Sequence, residues 1–197
     1  MKRLPGVMSL WMFLWLWSAC AVAAQEQYVE VSVTAEVPVT AAWNYLQDFS
    51  AAHNYVPNLS RTEIVSQELS GVGAHRRVYD FDEGYLEESI ISWREGQGFT
   101  IKLHDGDAPM SPFERAEFSY RLSAISGPYT FITLRMTIEM PMGSVGAKLA
   151  QWFILPVMEE NLVQVAAGMK YYYETGLPAT DEIREKQAKT VTISPRP

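Results

Sequence analysis

Residues 144–175 read SVGAKLAQWFILPVMEENLVQVAAGMKYYYET, and apolar side chains recur there every three or four positions. The periodic positions are Leu149, Trp152, Leu155, Met158, Leu162, Val165, Met169 and Tyr172. This spacing predicts one amphipathic helix of about thirty residues that must cover its apolar face with the rest of the chain. Pro156 predicts a kink or break inside the helix, and Gly176 followed by Pro178 predicts its end.

The chain ahead of this helix alternates in steps of two. Residues 28–37 read YVEVSVTAEV, with apolar residues on one face and mostly polar residues on the other, as in a half-buried strand. Six further strands are predicted at 61–69, 74–81, 85–93, 99–104, 115–125 and 129–140. Two short helices are predicted after the first strand, around 40–49 and 53–55. Short turns then link the strands, which predicts an α+β fold with a seven-stranded antiparallel sheet.

The N-terminus has the features of an export signal. Lys2 and Arg3 precede an apolar run at 7–17, which is too short to cross a bilayer and is followed by small residues. We therefore predict a signal peptide at residues 1–23 and a periplasmic or secreted protein. An alternative is a membrane-anchored lipoprotein, because Cys20 follows two small residues, and an uncleaved anchor is a third possibility.

Composition favours one acidic globular domain. The 197 residues are 48% hydrophobic and carry a formal net charge of −7, which argues against nucleic acid as a partner. The single cysteine excludes an intramolecular disulfide and a cysteine-based zinc site. We predict the domain at 24–176 and a polar, flexible tail at 177–197, where no apolar periodicity is visible.

No local catalytic or metal motif is present in the sequence. The histidines His53, His75 and His104 are far apart, and none has a metal-binding partner at helical spacing. There is no nucleophile elbow and no phosphate-binding glycine loop. We therefore predict no metal and no cofactor.

Two arginines and two glutamates on neighbouring strands are candidates for a buried ion pair. Alternation over 74–81 puts Arg76 on one face and Arg77 on the other, so only one of them can point inward. Glu87 and Glu88 likewise place one carboxylate inward, where it needs a charged partner. The residues alone leave open which arginine lies inside.

Several short strings resemble one family. They are VTAAW at 39–43, DF at 48–49, YVPNL at 55–59, GVGAHRR at 71–77, LEE at 86–88, ENL at 160–162 and YYE at 172–174. With the order of elements, they resemble the START-like (SRPBCC) superfamily, and in particular its polyketide cyclase/dehydrase branch, over 27–175. The resemblance implies a helix-grip fold, in which a curved sheet wraps around the long C-terminal helix and a hydrophobic cavity lies between them. It also favours Arg76 as the inward arginine.

Two classes of function fit this resemblance. The first is an exported binding or transfer protein that holds a lipid, isoprenoid or polyketide-like molecule in the cavity. The second is a cyclase- or dehydratase-type enzyme that uses His75, His104 or Tyr79 as acid or base in that cavity. An envelope-assembly protein without a ligand is a further alternative. The predicted ligand-binding residues are Arg76, Glu88, Tyr79, Trp93, His104, Met136, Met158 and Leu162. Membrane contact is expected through a lipidated Cys20 or during ligand exchange.

Overall fold

The computed structural model describes residues 26–196, in which nine strands form one antiparallel sheet. Seven strands form the main sheet: β1 (Gln27–Ala35), β2 (Arg61–Ile64), β3 (His75–Tyr79), β4 (Tyr85–Arg94), β5 (Gly98–Asp105), β7 (Arg115–Ile125) and β8 (Tyr129–Glu139). Two strands of two residues, β6 (Ala108–Pro109) and β9 (Thr192–Ile193), are additional to the prediction. The sheet order is β2-β3-β4-β5-β7-β8-β1-β9, and β6 pairs with β5. The predicted antiparallel sheet is thus confirmed.

The described residues also form four α-helices and one 3-10 turn. They are α1 (Val39–Leu46), a 3-10 turn (Ala52–Asn54), α2 (Gly143–Leu149), α3 (Leu155–Thr175) and α4 (Asp181–Ala188). The hydrophobic core lies where α1 and α3 pack against the inward side chains of the strands. The two short helices after β1 and the long C-terminal helix were both predicted. Among residues 26–196, no helix is long and apolar enough to cross a membrane.

The long helix changes its inward face near its start. A π-helical turn, Ala150–Ile154, joins α2 to α3, and Pro156 lies in the first turn of α3. The wider π turn inserts one residue into the periodic pattern, so the apolar stripe rotates. Leu149 and Trp152, which were predicted to face the sheet, are therefore exposed, while Leu155 beyond the turn is buried. The helix ends as predicted at Gly176, which adopts a positive φ of 72°.

The polar segment after α3 is folded, which corrects the expectation of a flexible tail at 177–197. Thr180 caps α4 by accepting the backbone N–H of Ile183, and β9 pairs with Val31 and Ser32 of β1. Arg184 is buried, donates to the carbonyl of Ala179 and pairs with Asp181. Helix capping, an ion pair and strand pairing stabilise this segment. Because these contacts are made by polar groups and backbone, the sequence shows no apolar periodicity from which the helix could be predicted.

The signal-peptide and lipidation predictions concern residues 1–23, which lie outside the described residues.

Candidate functional site

Arg76 lies at the centre of the inward face. It projects from β3 toward the segment after α1 and is 1% exposed, and its guanidinium lies over the ring of Phe49 at 4.0 Å. Its Nη1 donates to the carbonyl oxygen of Phe49 at 2.6 Å, and its Nε donates to Oε2 of Glu88 at 2.6 Å. The register pairs Arg76 directly with Glu88 on β4, so the two side chains emerge on the same face. The arginine that the resemblance favoured is therefore the inward one.

The ion pair keeps Arg76 charged inside the protein. Burial opposes the positive charge, but the charge and hydrogen bond of Glu88, together with the nearby Tyr55 and Tyr120, raise the pKa of the Arg76 guanidinium above its usual value. A buried guanidinium needs such a partner, since it cannot release its proton.

Three tyrosines complete what we call the interior polar cluster: Arg76, Glu88, Tyr55, Tyr120 and Tyr173. Tyr55 follows the 3-10 turn, Tyr120 lies on β7 and Tyr173 lies near the end of α3, and all three are buried. Burial raises the pKa of Tyr55, and it raises the pKa of both Tyr120 and Tyr173 well above the usual value. All three phenols are therefore neutral hydroxyl groups at physiological pH.

The hydroxyl of Tyr173 has no hydrogen-bond partner among the described residues, although it is buried. Leaving a buried donor unpaired costs about 1–3 kcal/mol. The hydroxyl is thus available to a polar atom of a bound molecule.

A glycine brings α3 close to this cluster. A Cβ atom on Gly168 would stand 2.2 Å from the carbonyl oxygen of Tyr55, which is shorter than any van der Waals contact. Only glycine permits this approach, and it places Tyr55 and Tyr173 within one aromatic cluster, with ring centroids 6.5 Å apart. The helix therefore packs closely against the segment that follows the 3-10 turn.

The inward face is incompletely covered at one end. Phe118 on β7 points inward between Ala116 and Tyr120, yet it is partly exposed while both neighbours on its face are buried. Leu86 on β4 and Met158 on α3 are also partly exposed and pack against the core. Three apolar side chains of the inward side are therefore partly accessible to solvent.

Two predicted site residues lie on the wrong face for an interior ligand. Tyr79 points outward, where its hydroxyl donates to Glu63 and Arg61 lies over its ring at 3.7 Å. His104 points outward from β5 and contacts the hydroxyl of Ser89 at 2.8 Å. Strand alternation puts both residues opposite Arg76, so their assignment to the interior is corrected, as is the acid–base role considered for His75 beside them.

The other predicted residues lie on the inward side. Met136 and Leu162 are buried in the core, and Met158 is partly buried against it. Trp93 stacks on Phe99 at 5.4 Å near the β4–β5 turn, where its indole nitrogen donates to Glu95. Their role in ligand binding stays a prediction.

The three tyrosines of the cluster were not predicted as site residues. Tyr120 carried a usable signal, because it is a hydroxyl-bearing residue on the otherwise apolar face of β7. Tyr173 is harder to identify from the sequence, because its neighbour Tyr172 fits the spacing of the inward helical positions equally well.

One cleft is lined by residues of both faces, including Tyr120, and the outward face carries a smaller cleft and one group of possible metal ligands. A cleft of about 610 Å³ lies along β5 and β7 near the β4–β5 turn, and one of about 160 Å³ lies beside Glu30 and Arg135. No residue of α3 lines either cleft. On the outward face, His75, Glu87 and His104 could hold a metal ion. Burial lowers the pKa of His75, and hydrogen bonds from Arg77 lower the pKa of Glu87.

The antiparallel sheet and the long C-terminal helix form a helix-grip fold, and solved structures of other proteins share it. The chain matches the Zhui aromatase/cyclase from Streptomyces sp. R1128 with a TM-score of 0.60 and 16% identity, covering 76% of this chain and 94% of that one. A START superfamily protein from Mycobacterium smegmatis gives a TM-score of 0.56 and 15% identity, covering 75% and 97%. Ara h 8.0201 gives 0.56 and 17%, covering 76% and 98%. None of the curated proteins compared with the chain matches it in sequence.

The family is shown by sequence. Residues 26–170 match the model of the family described as polyketide cyclase / dehydrase and lipid transport, and the chain belongs to this family.

Proposed function

We propose that the protein is an exported carrier that binds an apolar small molecule between the sheet and α3. The unpartnered hydroxyl of Tyr173 is the observation that carries this proposal. A lipid, isoprenoid or polyketide-like molecule offers an apolar body for the partly exposed Phe118 and Met158, and a carbonyl or hydroxyl oxygen for Tyr173. Apolar contact supplies the affinity and the single hydrogen bond fixes the orientation.

Acid–base catalysis is less well supported than binding. The histidines considered as acid or base, His75 and His104, point outward, and the inward phenols have raised pKa values. Such phenols donate hydrogen bonds well but give up protons reluctantly near neutral pH. Glu88 is held by Arg76, which commits its carboxylate to the ion pair.

The binding site is tested by comparing the variant Tyr173→Phe with the matched control Tyr172→Phe. We expect Tyr173→Phe to weaken binding of cis-parinaric acid, a fluorescent fatty acid, by about fivefold to tenfold, because one neutral hydrogen bond contributes about 1 kcal/mol. Its free energy of unfolding should stay equal or rise, since an unpaired buried hydroxyl disappears. Tyr172→Phe should leave the affinity unchanged, because its hydroxyl is the acceptor of a hydrogen bond from Asn54.

Native mass spectrometry of protein purified from the periplasm is an independent test of the same site. An apolar molecule retained by the unaltered protein and lost from Tyr173→Phe supports the carrier. Equal affinity of both variants for cis-parinaric acid, with no retained molecule, contradicts it.

Ligand exchange requires contact with a membrane, and an apolar surface on α2 and the π turn fits that role. Its members are Met142, Val145, Leu149, Trp152, Phe153 and Val157, and Trp152 is 75% exposed. Lys148 is the single charged residue between positions 142 and 158 of this acidic chain, so the surface matches an anionic bilayer. Gln27 donates to the carbonyl of Ala147 at 2.7 Å, so β1 begins beside this surface.

Removing the two largest side chains should abolish that contact. We expect Trp152→Ser with Phe153→Ser to reduce co-sedimentation with phosphatidylglycerol vesicles at least about tenfold, because each buried aromatic side chain contributes about 1.5–3 kcal/mol. Phe81→Ser is the matched control, since Phe81 is also 75% exposed but lies in the β3–β4 turn. Equal pelleting of both variants would show that the surface does not bind lipid.

Export completes the proposal, and it rests on the sequence ahead of the domain. We expect a mature N-terminus near Ala24, which N-terminal sequencing of the purified protein detects. Release from membranes by Cys20→Ser would instead support the lipoprotein.

A further inference from the structure

We propose that His75, Glu87 and His104 form a zinc-binding site on the outward face of the sheet. The three residues come from β3, β4 and β5, and one possible ligand atom from each lies within 4.8 Å of the others. Their sequence separation hides this grouping. The strand register creates the grouping, because Glu87 pairs directly with His104 on β5. On the other side, Glu87 pairs with Arg77 on β3, and His75 is the next outward residue along that strand.

The distances are close to those that zinc requires. Nε2 of His75 lies 3.8 Å from Oε1 of Glu87, and Nδ1 of His104 lies 3.7 Å from Oε2. Ligand atoms of a tetrahedral zinc ion are about 3.4 Å apart, given zinc–ligand distances near 2.1 Å. The three ligand atoms lie within 4.8 Å of one another, so an ion would have to draw them together by up to about 1.4 Å.

One ring nitrogen in this group lacks a partner. Nε2 of His75 is buried and makes no hydrogen bond among the described residues, and it faces the Glu87 carboxylate. A cation between this nitrogen and the carboxylate oxygen would give the nitrogen the partner that it lacks. The observation is independent of the Tyr173 hydroxyl, which lies on the other side of the sheet.

Neighbouring groups hold the remaining ligands in place. Nδ1 of His104 donates to the carbonyl of Gly106 at 2.7 Å, and Nε2 lies 2.8 Å from the hydroxyl of Ser89. The backbone N–H of Gly106 donates to Oε2 of Glu87 at 2.8 Å. Such supporting bonds are typical around metal-binding histidines and carboxylates, and an ion would replace one of the two contacts of His104.

Charge and exposure favour zinc over the harder cations. Arg77 donates to Oε1 of Glu87 at 2.9 Å. Its positive charge disfavours a hard cation, whose binding requires carboxylate and other oxygen ligands. Two imidazoles and one carboxylate are a zinc ligand set, which leaves a fourth position for water. The side chain of His75 is 29% exposed, so the group lies close to the protein surface. An ion there would tie three neighbouring strands together.

Calorimetric titration of the chelator-treated mature protein with zinc chloride tests the site. We expect one zinc ion per chain, and at least a tenfold loss of affinity in His75→Ala. His53→Ala is the matched control, because the third histidine lies on the 3-10 turn against Thr62. Zinc should also raise the unfolding temperature of the unaltered protein and of His53→Ala, but not of His75→Ala.

Two outcomes would overturn the site without touching the carrier proposal. One is the absence of zinc binding to the unaltered protein. The other is equal zinc binding by His75→Ala and His53→Ala. Cobalt substitution provides a second measurement, since a site with two histidines and one carboxylate gives visible absorption bands that His75→Ala should lose.

Discussion

Arg76→Met should lower the free energy of unfolding by about 3–5 kcal/mol, because it leaves the Glu88 carboxylate buried without its counter-charge. The carbonyl of Phe49 also loses its donor. Urea unfolding followed by tryptophan fluorescence measures the change. The loss should be much larger than the net contribution of the pair itself, since desolvating both charges offsets most of their attraction.

Two further variants separate the ion pair from its surroundings. Arg76→Met combined with Glu88→Leu should recover most of the lost stability, because no unpaired charge remains inside. Arg77→Met should cost about 1 kcal/mol or less, since Arg77 is partly exposed and Glu87 keeps the N–H of Gly106. Equal losses for Arg76→Met and Arg77→Met would mean that the interior pair has no special structural role. The double variant also remains folded, so its retention of an apolar molecule can be measured.

Much of the fold follows from periodicity. Alternation in 28–37 predicts β1 and its inward valines, and the spacing of apolar residues after position 155 predicts which side of α3 is buried. The pattern fails before that position because the π turn adds one residue to a helical turn. The spacing of apolar residues does not reveal where such an extra residue lies. Leu149 and Trp152 therefore form part of an exposed surface although their spacing predicts burial.

The site was less accessible to sequence reasoning because it depends on which strands are neighbours and in which register. Alternation separates Arg76 from Arg77, but only the positions of α1 and α3 decide which face is inside. The same dependence hid the grouping of His75 with His104, since an antiparallel register over three strands brings together residues that no motif links. Tyr55, Tyr120 and Tyr173 likewise meet only after β7 and α3 pack.

Leu162→Ala is expected to cost about 2–5 kcal/mol, because Leu162 is buried where α3 packs against the sheet and its truncation leaves a cavity. Leu149→Ala is the control on the same long helix. Leu149 is 46% exposed, so its truncation should change stability by about 0.5 kcal/mol or less. Equal costs would contradict the placement of α3 over the sheet. A cost for Leu162 below this range has a specific meaning, since a side chain that borders an open space loses fewer contacts on truncation. In that case the cavity of Leu162→Ala should join the ligand space, and the variant should bind a fatty acid probe with a bulkier chain more tightly than the unaltered protein does.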